Sequence, residues 1–148
     1  MTITATNKYN EAADLPSANW QTASTIAFQN NKLYLVSLWL PFDNTVITAI
    51  SGGGITWVKI TGASLDDTLV DMSGAMFRGL VTSGATTEKL TMTEGGQEMY
   101  VSVDEFSGMD TSGTNGSGAI VQSNVGRGNS GIDTSSAGGL SAFGDGPN

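Results

Sequence analysis

The fold of this chain is decided by residues 31–40, NKLYLVSLWL, which form the longest nearly continuous apolar stretch of the sequence. Its leucine, valine, tyrosine and tryptophan residues suit strands, and Ser37 is the one polar residue after Lys32. A short, almost uninterrupted apolar run is typical of a strand that is covered on both faces. We therefore predict that residues 31–40 form the central core strand and that Trp39 is part of the core.

Working outward from this segment, further strand patterns recur at intervals of about ten residues, separated by turns rich in glycine. Strands are predicted at residues 45–50, 55–60, 75–81, 87–93 and 97–106. Gly52-Gly53-Gly54 is predicted to make a tight turn at positive φ. The regular spacing predicts one all-β domain, an antiparallel β-sandwich that is jelly-roll-like.

The two ends of the chain differ from this pattern. Residues 1–21 are polar, with apolar residues spaced apart, and we predict an extended N-terminal arm or an added edge strand before a sandwich domain at residues 22–148. The spaced residues are the candidate interface anchors: Ile3, Tyr9, Leu15 and Trp20. After a turn-rich stretch at 107–118, strands are expected at 119–123 and 140–143, the last one incomplete or completed by another subunit.

Composition excludes many functions. The chain has no cysteine and no histidine, which removes thiolate nucleophiles, imidazole bases and the usual zinc, iron and copper ligands. With 6 basic and 14 acidic residues, the net charge of -8 disfavours nucleic acid and anionic membranes as partners. The first residues lack a basic region followed by an apolar one, so we expect synthesis in the cytoplasm without a secretory signal.

Three features of the sequence could carry chemistry, and each has a simpler interpretation. Adjacent residues on a strand point to opposite faces, so neither carboxylate doublet, Asp66-Asp67 or Asp104-Glu105, makes an acid/base pair by itself. Asp66-Asp67 is expected in a polar loop, and Asp104-Glu105 is expected to have one carboxylate in solvent and one that caps or pairs at the strand end. Residues 110–118 space oxygen ligands as calcium would accept, but lack the acidic density of a calcium loop. Exposed tryptophans and tyrosines could stack on sugars, although Trp39 and Trp57 lie in strand patterns typical of a core. We predict no cofactor and no enzymatic activity.

The order of the segments resembles that of β-sandwich structural proteins of tailed bacteriophages, which decorate capsids or form tail appendages. The resemblance depends on residues 33–40, on Gly-Gly-Gly-Ile-Thr-Trp at 52–57, on residues 103–110 and on residues 120–123. It covers roughly residues 20–148, and its motifs are packing and turn signatures. In proteins of this pattern the segment at 142–148 leads into a further strand, at which point this chain stops.

This resemblance implies a virion component that is made in the host cytoplasm and assembled in many copies, commonly as a homotrimer. It implies a capsid decoration (cement) protein whose partner is the major capsid protein or another virion protein. Such a protein stabilises a shell through many modest contacts across capsomer junctions. The alternative is a tail-fibre or tail-appendage module that binds host-surface glycan.

Overall fold

The computed structural model describes residues 2–14, 19–41, 47–61, 65–67, 72–93, 98–120 and 123. These residues contain eleven strands: β1 (Thr4–Asp14), β2 (Asn19–Gln21), β3 (Ile26–Ala27), β4 (Lys32–Leu40), β5 (Ala49–Ser51), β6 (Val58–Lys59), β7 (Leu65–Asp67), β8 (Met72–Val81), β9 (Thr87–Glu88), β10 (Thr91–Thr93) and β11 (Glu98–Ser107). A 3-10 segment spans Thr114–Ala119. No described helix has the length and apolar character needed to cross a membrane.

The strands form two layers, and every pairing within them is antiparallel. The large sheet has the order β1-β11-β4-β8, and both β6 and β7 pair with β8 at its far edge. The second layer consists of a three-stranded sheet, β2-β10-β5, and the short pair β3-β9. The predicted all-β, antiparallel sandwich is therefore confirmed, whereas the jelly-roll connectivity stays a prediction.

Alternation along the central strand β4 gives the large sheet an inner face toward the second layer and an outer face away from it. Val36 and Leu38 are buried in the core, whereas Ser37 and Trp39 lie on the opposite side. The predicted central position of residues 31–40 is confirmed. The prediction that both faces are covered and that Trp39 is in the core is wrong, because 39% of Trp39 is exposed.

The core lies between the inner face and the second layer. Its buried side chains come from both layers and include Tyr34, Val36, Leu38, Phe77, Met99 and Val103 on one side and Ile26, Ile50, Leu90 and Met92 on the other. At one end of this core Phe28 meets Tyr34 edge to face, with ring centroids 5.0 Å apart. The two layers are thus held together chiefly by burial of apolar surface.

The turn at Gly52-Gly53-Gly54 adopts positive φ at all three residues (111°, 75° and 64°), as predicted. A Cβ at Gly53 would approach the Phe28 ring to 2.7 Å, so this position also requires the absence of a side chain. Trp57 follows the turn and its indole Nε1 donates to the carbonyl oxygen of Gly52 at 3.0 Å. This bond fixes Trp57 against the core, as its strand pattern predicts.

The first 21 residues contribute to both layers. Strand β1 is the edge of the large sheet and pairs with β11 along its length, and β2 pairs with β10 in the second layer. The register of β1 shifts between Asn7 and Tyr9, so that Lys8 is an extra residue opposite β11. Of the weaker sequence predictions, residues 45–46 and 140–143 lie outside the described residues, and Ala119 belongs to the 3-10 segment rather than to a strand.

Candidate functional site: the outer face of the large sheet

The structure does not bring the predicted interface anchors together. Tyr9 and Trp20 pack against the core, from β1 and β2 respectively. The Tyr9 hydroxyl also donates to the Glu11 carboxylate and accepts the backbone N–H of Ala23 at 2.9 Å. Ile3 is 60% exposed, and Leu15 lies outside the described residues. Tyr9 and Trp20 are therefore partly used to close the sandwich, and the role of these residues as interface anchors stays a prediction.

The register of the large sheet aligns outer-face residues in rows that run across the strands. One row consists of Ala12, Tyr100, Trp39 and Gly74, from β1, β11, β4 and β8. The next row, two residues along each strand, consists of Asn10, Ser102, Ser37 and Met76. An aromatic row therefore lies beside a mainly polar row, at about 7 Å along the strands.

These two rows line a groove of about 570 Å³, which we call the outer-face groove. Its outer-face lining residues are Asn10, Ala12, Ser37, Trp39, Tyr100 and Ser102. A cleft of this size falls within the range of small-molecule sites, which combine aromatic surface with a few placed polar groups. The groove lies on the side of the sheet opposite the core.

Trp39 and Tyr100 are directly opposite each other on β4 and β11, and both are exposed, at 39% and 44%. Gly74 follows Trp39 in the same row, and a Cβ built on it would lie 3.4 Å from Cε3 of the Trp39 ring. Ala12 flanks Tyr100 on the other side. The residues that flank the pair in this row are small, and both aromatic side chains keep more than a third of their surface exposed.

A hydrogen-bonded network of side chains forms the polar half of this face. Asn7 Nδ2 donates to Oδ1 of Asp104 at 2.8 Å, and the Ser102 hydroxyl donates to the other carboxylate oxygen at 3.1 Å. Asn10 Nδ2 donates to Oδ1 of Asn7 at 2.8 Å. The Ser37 hydroxyl makes no hydrogen bond to another described residue. The network holds amide, hydroxyl and carboxylate groups in fixed positions beside the aromatic row.

One end of the outer face is covered by the chain itself. The 3-10 segment places Gly116 over this end, where an added Cβ would lie 2.6 Å from Cδ1 of Leu33 and 3.5 Å from Cβ of Leu80. Leu33 is accordingly 1% exposed. The covered end and the groove are separate parts of the outer face, since neither of these leucines lines the groove.

The inner face carries a second polar cluster, at Tyr34 and Glu105. The Tyr34 hydroxyl donates to the Glu105 carboxylate and accepts the backbone N–H of Gln29 at 2.7 Å. Lys8 Nζ lies 3.7 Å from the same carboxylate. Burial, and next the hydrogen bond to Glu105, raise the pKa of Tyr34 well above its ordinary value. Every polar group of this cluster has a partner within the protein, as expected of a cluster that stabilises the fold and does not bind a ligand.

The other sites predicted from sequence differ in outcome. Asp104 and Glu105 point to opposite faces, the first into the outer network and the second into the Tyr34 cluster, as predicted. The prediction that Asp66 and Asp67 lie in a loop is wrong, because both belong to β7, which pairs with β8. In the loop at 110–118, the Asp110 carboxylate accepts the backbone N–H of Ser112 at 2.8 Å, which lowers the pKa of Asp110. The described residues include no group of three or more acidic side chains placed to hold a metal ion.

Comparison of this chain with protein-family models, with curated proteins and with solved structures gave no match. The outer-face groove is consequently interpreted from its own chemistry.

Sequence reasoning missed Trp39 and Tyr100 as a pair. The available signal was Ser37: in a strand with a period of two, it marks a face that is not apolar, and Trp39 shares that face. Tyr100 alternates in the same way with Met99 and Val101, which are buried. Their adjacency depends on the register of β4 with β11, which no local pattern specifies.

Proposed function

We propose that this chain is a non-enzymatic attachment module that binds glycan through the outer-face groove. The observation that carries this proposal is the exposed pair of Trp39 and Tyr100 beside the Asn7, Ser102 and Asp104 network. The two halves of the groove supply the two kinds of contact that a sugar makes. Its C–H surface packs on an aromatic face, and its hydroxyls exchange hydrogen bonds with amide, hydroxyl and carboxylate groups.

A binding role without catalysis agrees with the chemistry of the chain. The sequence contains no histidine or cysteine for acid, base or nucleophilic work. The carboxylates of Asp104 and Glu105 lie on opposite faces of β11, and each is engaged by its own donors. Neither can therefore pair with the other across a scissile bond.

The resemblance to tailed-phage β-sandwich proteins includes tail-appendage modules as the alternative to capsid decoration, and for such a module the partners are host-surface glycans. Assembly in many copies, with a trimer favoured, suits weak sites of this kind, because several grooves acting together raise the effective affinity. The net charge of -8 agrees with a partner other than nucleic acid.

The proposal is tested by probing a glycan array with the whole chain and with Trp39→Ala. We expect binding to a subset of glycans and a loss of about tenfold in affinity for the variant, since a desolvated aromatic contact contributes about 1 kcal/mol or more. Ile3→Ala is the matched control, because Ile3 is an exposed apolar residue that does not line the groove. A blank array, or binding that is unchanged in Trp39→Ala, would contradict the proposal.

The second candidate function is a capsid decoration protein that binds the major capsid protein. Its support is the position of Ile3, 60% exposed beside the end of β1, an 11-residue strand at the rim of the large sheet. Edge strands and exposed apolar residues are both used in protein–protein contacts. Deleting residues 1–21 is unsuitable as a test, because it would remove β1 and β2 from the fold.

A single substitution tests this candidate more cleanly. Ile3→Asp should abolish co-sedimentation with assembled capsids and the accompanying rise in shell melting temperature, while Trp39→Ala should leave both intact. If Trp39→Ala abolishes capsid binding and Ile3→Asp does not, the groove and not Ile3 is the capsid-binding surface. If capsid binding survives both substitutions, Ile3 is not the anchor.

A further inference from the structure

We propose that the outer-face groove selects neutral glycans and discriminates against acidic ones; this inference rests on the glycan-binding function proposed above. Its basis is the sequence Glu98, Tyr100, Ser102, Asp104 along one face of β11. Alternate residues of a strand share a face, so the two groove residues are flanked by a carboxylate at either end, each about 7 Å away.

Both carboxylates are fixed in place by donors on the same face. Glu98 Oε1 accepts the Tyr100 hydroxyl at 2.7 Å. Asp104 accepts from Asn7 at 2.8 Å and from Ser102 at 3.1 Å. A carboxylate held in this way accepts hydrogen bonds from sugar hydroxyls or from the N–H of an acetamido group. It repels a sialic acid, sulfate or phosphate group brought to the same place.

Four cations lie in the described strands of the large sheet: Lys8, Lys32, Lys59 and Arg78. Lys32 begins β4, on the same face as Tyr34 and at the opposite end of the strand from Trp39. Lys8 lies beside Glu105 at the inner face, 3.7 Å from its carboxylate, and Lys59 Nζ donates to the carbonyl oxygen of Ile47. Arg78 shares a row with Asp104, but Leu35 of β4 stands between them, which separates Arg78 from β11 by two strand spacings, about 10 Å. β11 itself carries two carboxylates and no cation on its groove face, in a chain whose net charge is already -8.

The ligand class follows from these placements. A neutral oligosaccharide, including one with N-acetylated residues, can stack on Trp39 or Tyr100 and give its hydroxyl protons to Asp104 and Glu98. The same oligosaccharide with an acidic substituent meets two like charges at about 7 Å, which should weaken binding roughly fivefold in a buffer of about 10 mM ionic strength.

The experiment uses matched pairs of glycans from the array, identical except for one sialic acid, sulfate or phosphate group. Affinities of the whole chain are measured in about 10 mM and about 1 M salt. We expect the neutral member of each pair to bind about fivefold more tightly at low salt, and the two affinities to converge at high salt, where the screening length falls to about 3 Å. Equal or tighter binding of the acidic member at low salt would overturn the inference and leave glycan binding itself in place.

A variant separates charge from shape. Asp104→Asn should bring the ratio of acidic to neutral affinity closer to one, whatever it does to the affinity for the neutral glycan. Glu88→Gln removes a carboxylate from β9 in the second layer and should leave this ratio unchanged. A ratio that Asp104→Asn does not move would contradict the inference. If no glycan binds in a manner that depends on Trp39, the proposed function fails, and the inference fails with it.

Discussion

The inner and outer faces of the large sheet are made by the same strands, yet they serve different purposes. On the inner face Val36, Leu38 and Phe77 are buried among apolar neighbours. The intervening residues of the same strands lie on the outer face. They include Ser37 and Trp39, which line the outer-face groove. A side chain that is large and apolar thus stabilises the fold on one face and remains available for a partner on the other. The role of such a residue is decided by the face of the sheet on which its position in the strand places it, and not by its chemical type.

The largest effect should separate two neighbours on β8. Phe77→Ala removes a ring that is 2% exposed and leaves a cavity between the layers, which should cost about 3 to 5 kcal/mol in the free energy of unfolding. Met76→Ala, one residue earlier on the outer face, should cost clearly less. Urea denaturation of both variants makes the comparison, and equal losses would mean that the outer face carries as much packing as the core.

Tyr34→Phe should have the next largest effect. It keeps the ring in the core but leaves the Gln29 N–H and the Glu105 carboxylate without their shared partner, at a cost of about 1 to 3 kcal/mol. Tyr100→Phe removes a hydroxyl that donates an exposed hydrogen bond to Glu98, and it is the matched control on the outer face. If Tyr100→Phe lowers the free energy of unfolding as much as Tyr34→Phe does, the buried cluster does not stabilise the fold more than an exposed hydrogen bond.

Alkaline pH should lower the stability of the wild-type protein more steeply than that of Tyr34→Phe. The pKa of Tyr34 is raised in the folded state, so the phenol ionises more readily after unfolding. Stability is therefore fully present below pH 10 and is lost as the pH rises above it, by up to about 1.4 kcal/mol per pH unit for this group. Tyr34→Phe should show a shallower decline between pH 10 and 11 in denaturation experiments. Tyr9, whose pKa burial also raises, contributes in the same direction and remains in both proteins.

The smallest expected effect on stability is that of Trp39→Ala, at about 1 kcal/mol or less, since the ring is partly exposed on the face opposite the core. The melting temperature should therefore change little while glycan binding falls. A large drop in melting temperature would assign Trp39 to packing and withdraw it from the proposed site.

Alternation explains why the main strands could be predicted from sequence. The predicted strands at 31–40, 75–81 and 97–106 correspond to β4, β8 and β11, because their burial has a period of two and their length is sufficient to show it. Shorter elements fared worse: the pattern at 55–60 yields a strand only at Val58–Lys59. There, Trp57 makes its hydrogen bond to the preceding turn and not to a neighbouring strand.

The site could not be predicted in the same way, because it depends on contacts between distant segments. Ala12 and Gly74 leave Trp39 and Tyr100 accessible only because β1, β11, β4 and β8 pair in one particular register. The sequence of β1 left two predictions open, an extended arm and an edge strand, and β1 is the edge strand of the large sheet. Its apolar residues are isolated among polar ones, and at an edge strand this spacing lets Tyr9 reach the core.

The additional residue in β1 has a consequence for the groove. In an uninterrupted strand, residues at an odd separation project to opposite sides, so Asn7 and Asn10 would be divided between core and surface. The bulge at Lys8 adds one residue between the two asparagines, which changes the face on which the following residues lie. Both amides therefore project outward and bond to each other. If β1 paired with β11 without a bulge and kept Lys8 in the ladder, Asn7 and Asn10 would lie on opposite faces and could not bond to each other. The hydrogen-bonded amides beside the groove therefore depend on one bulged residue in the edge strand.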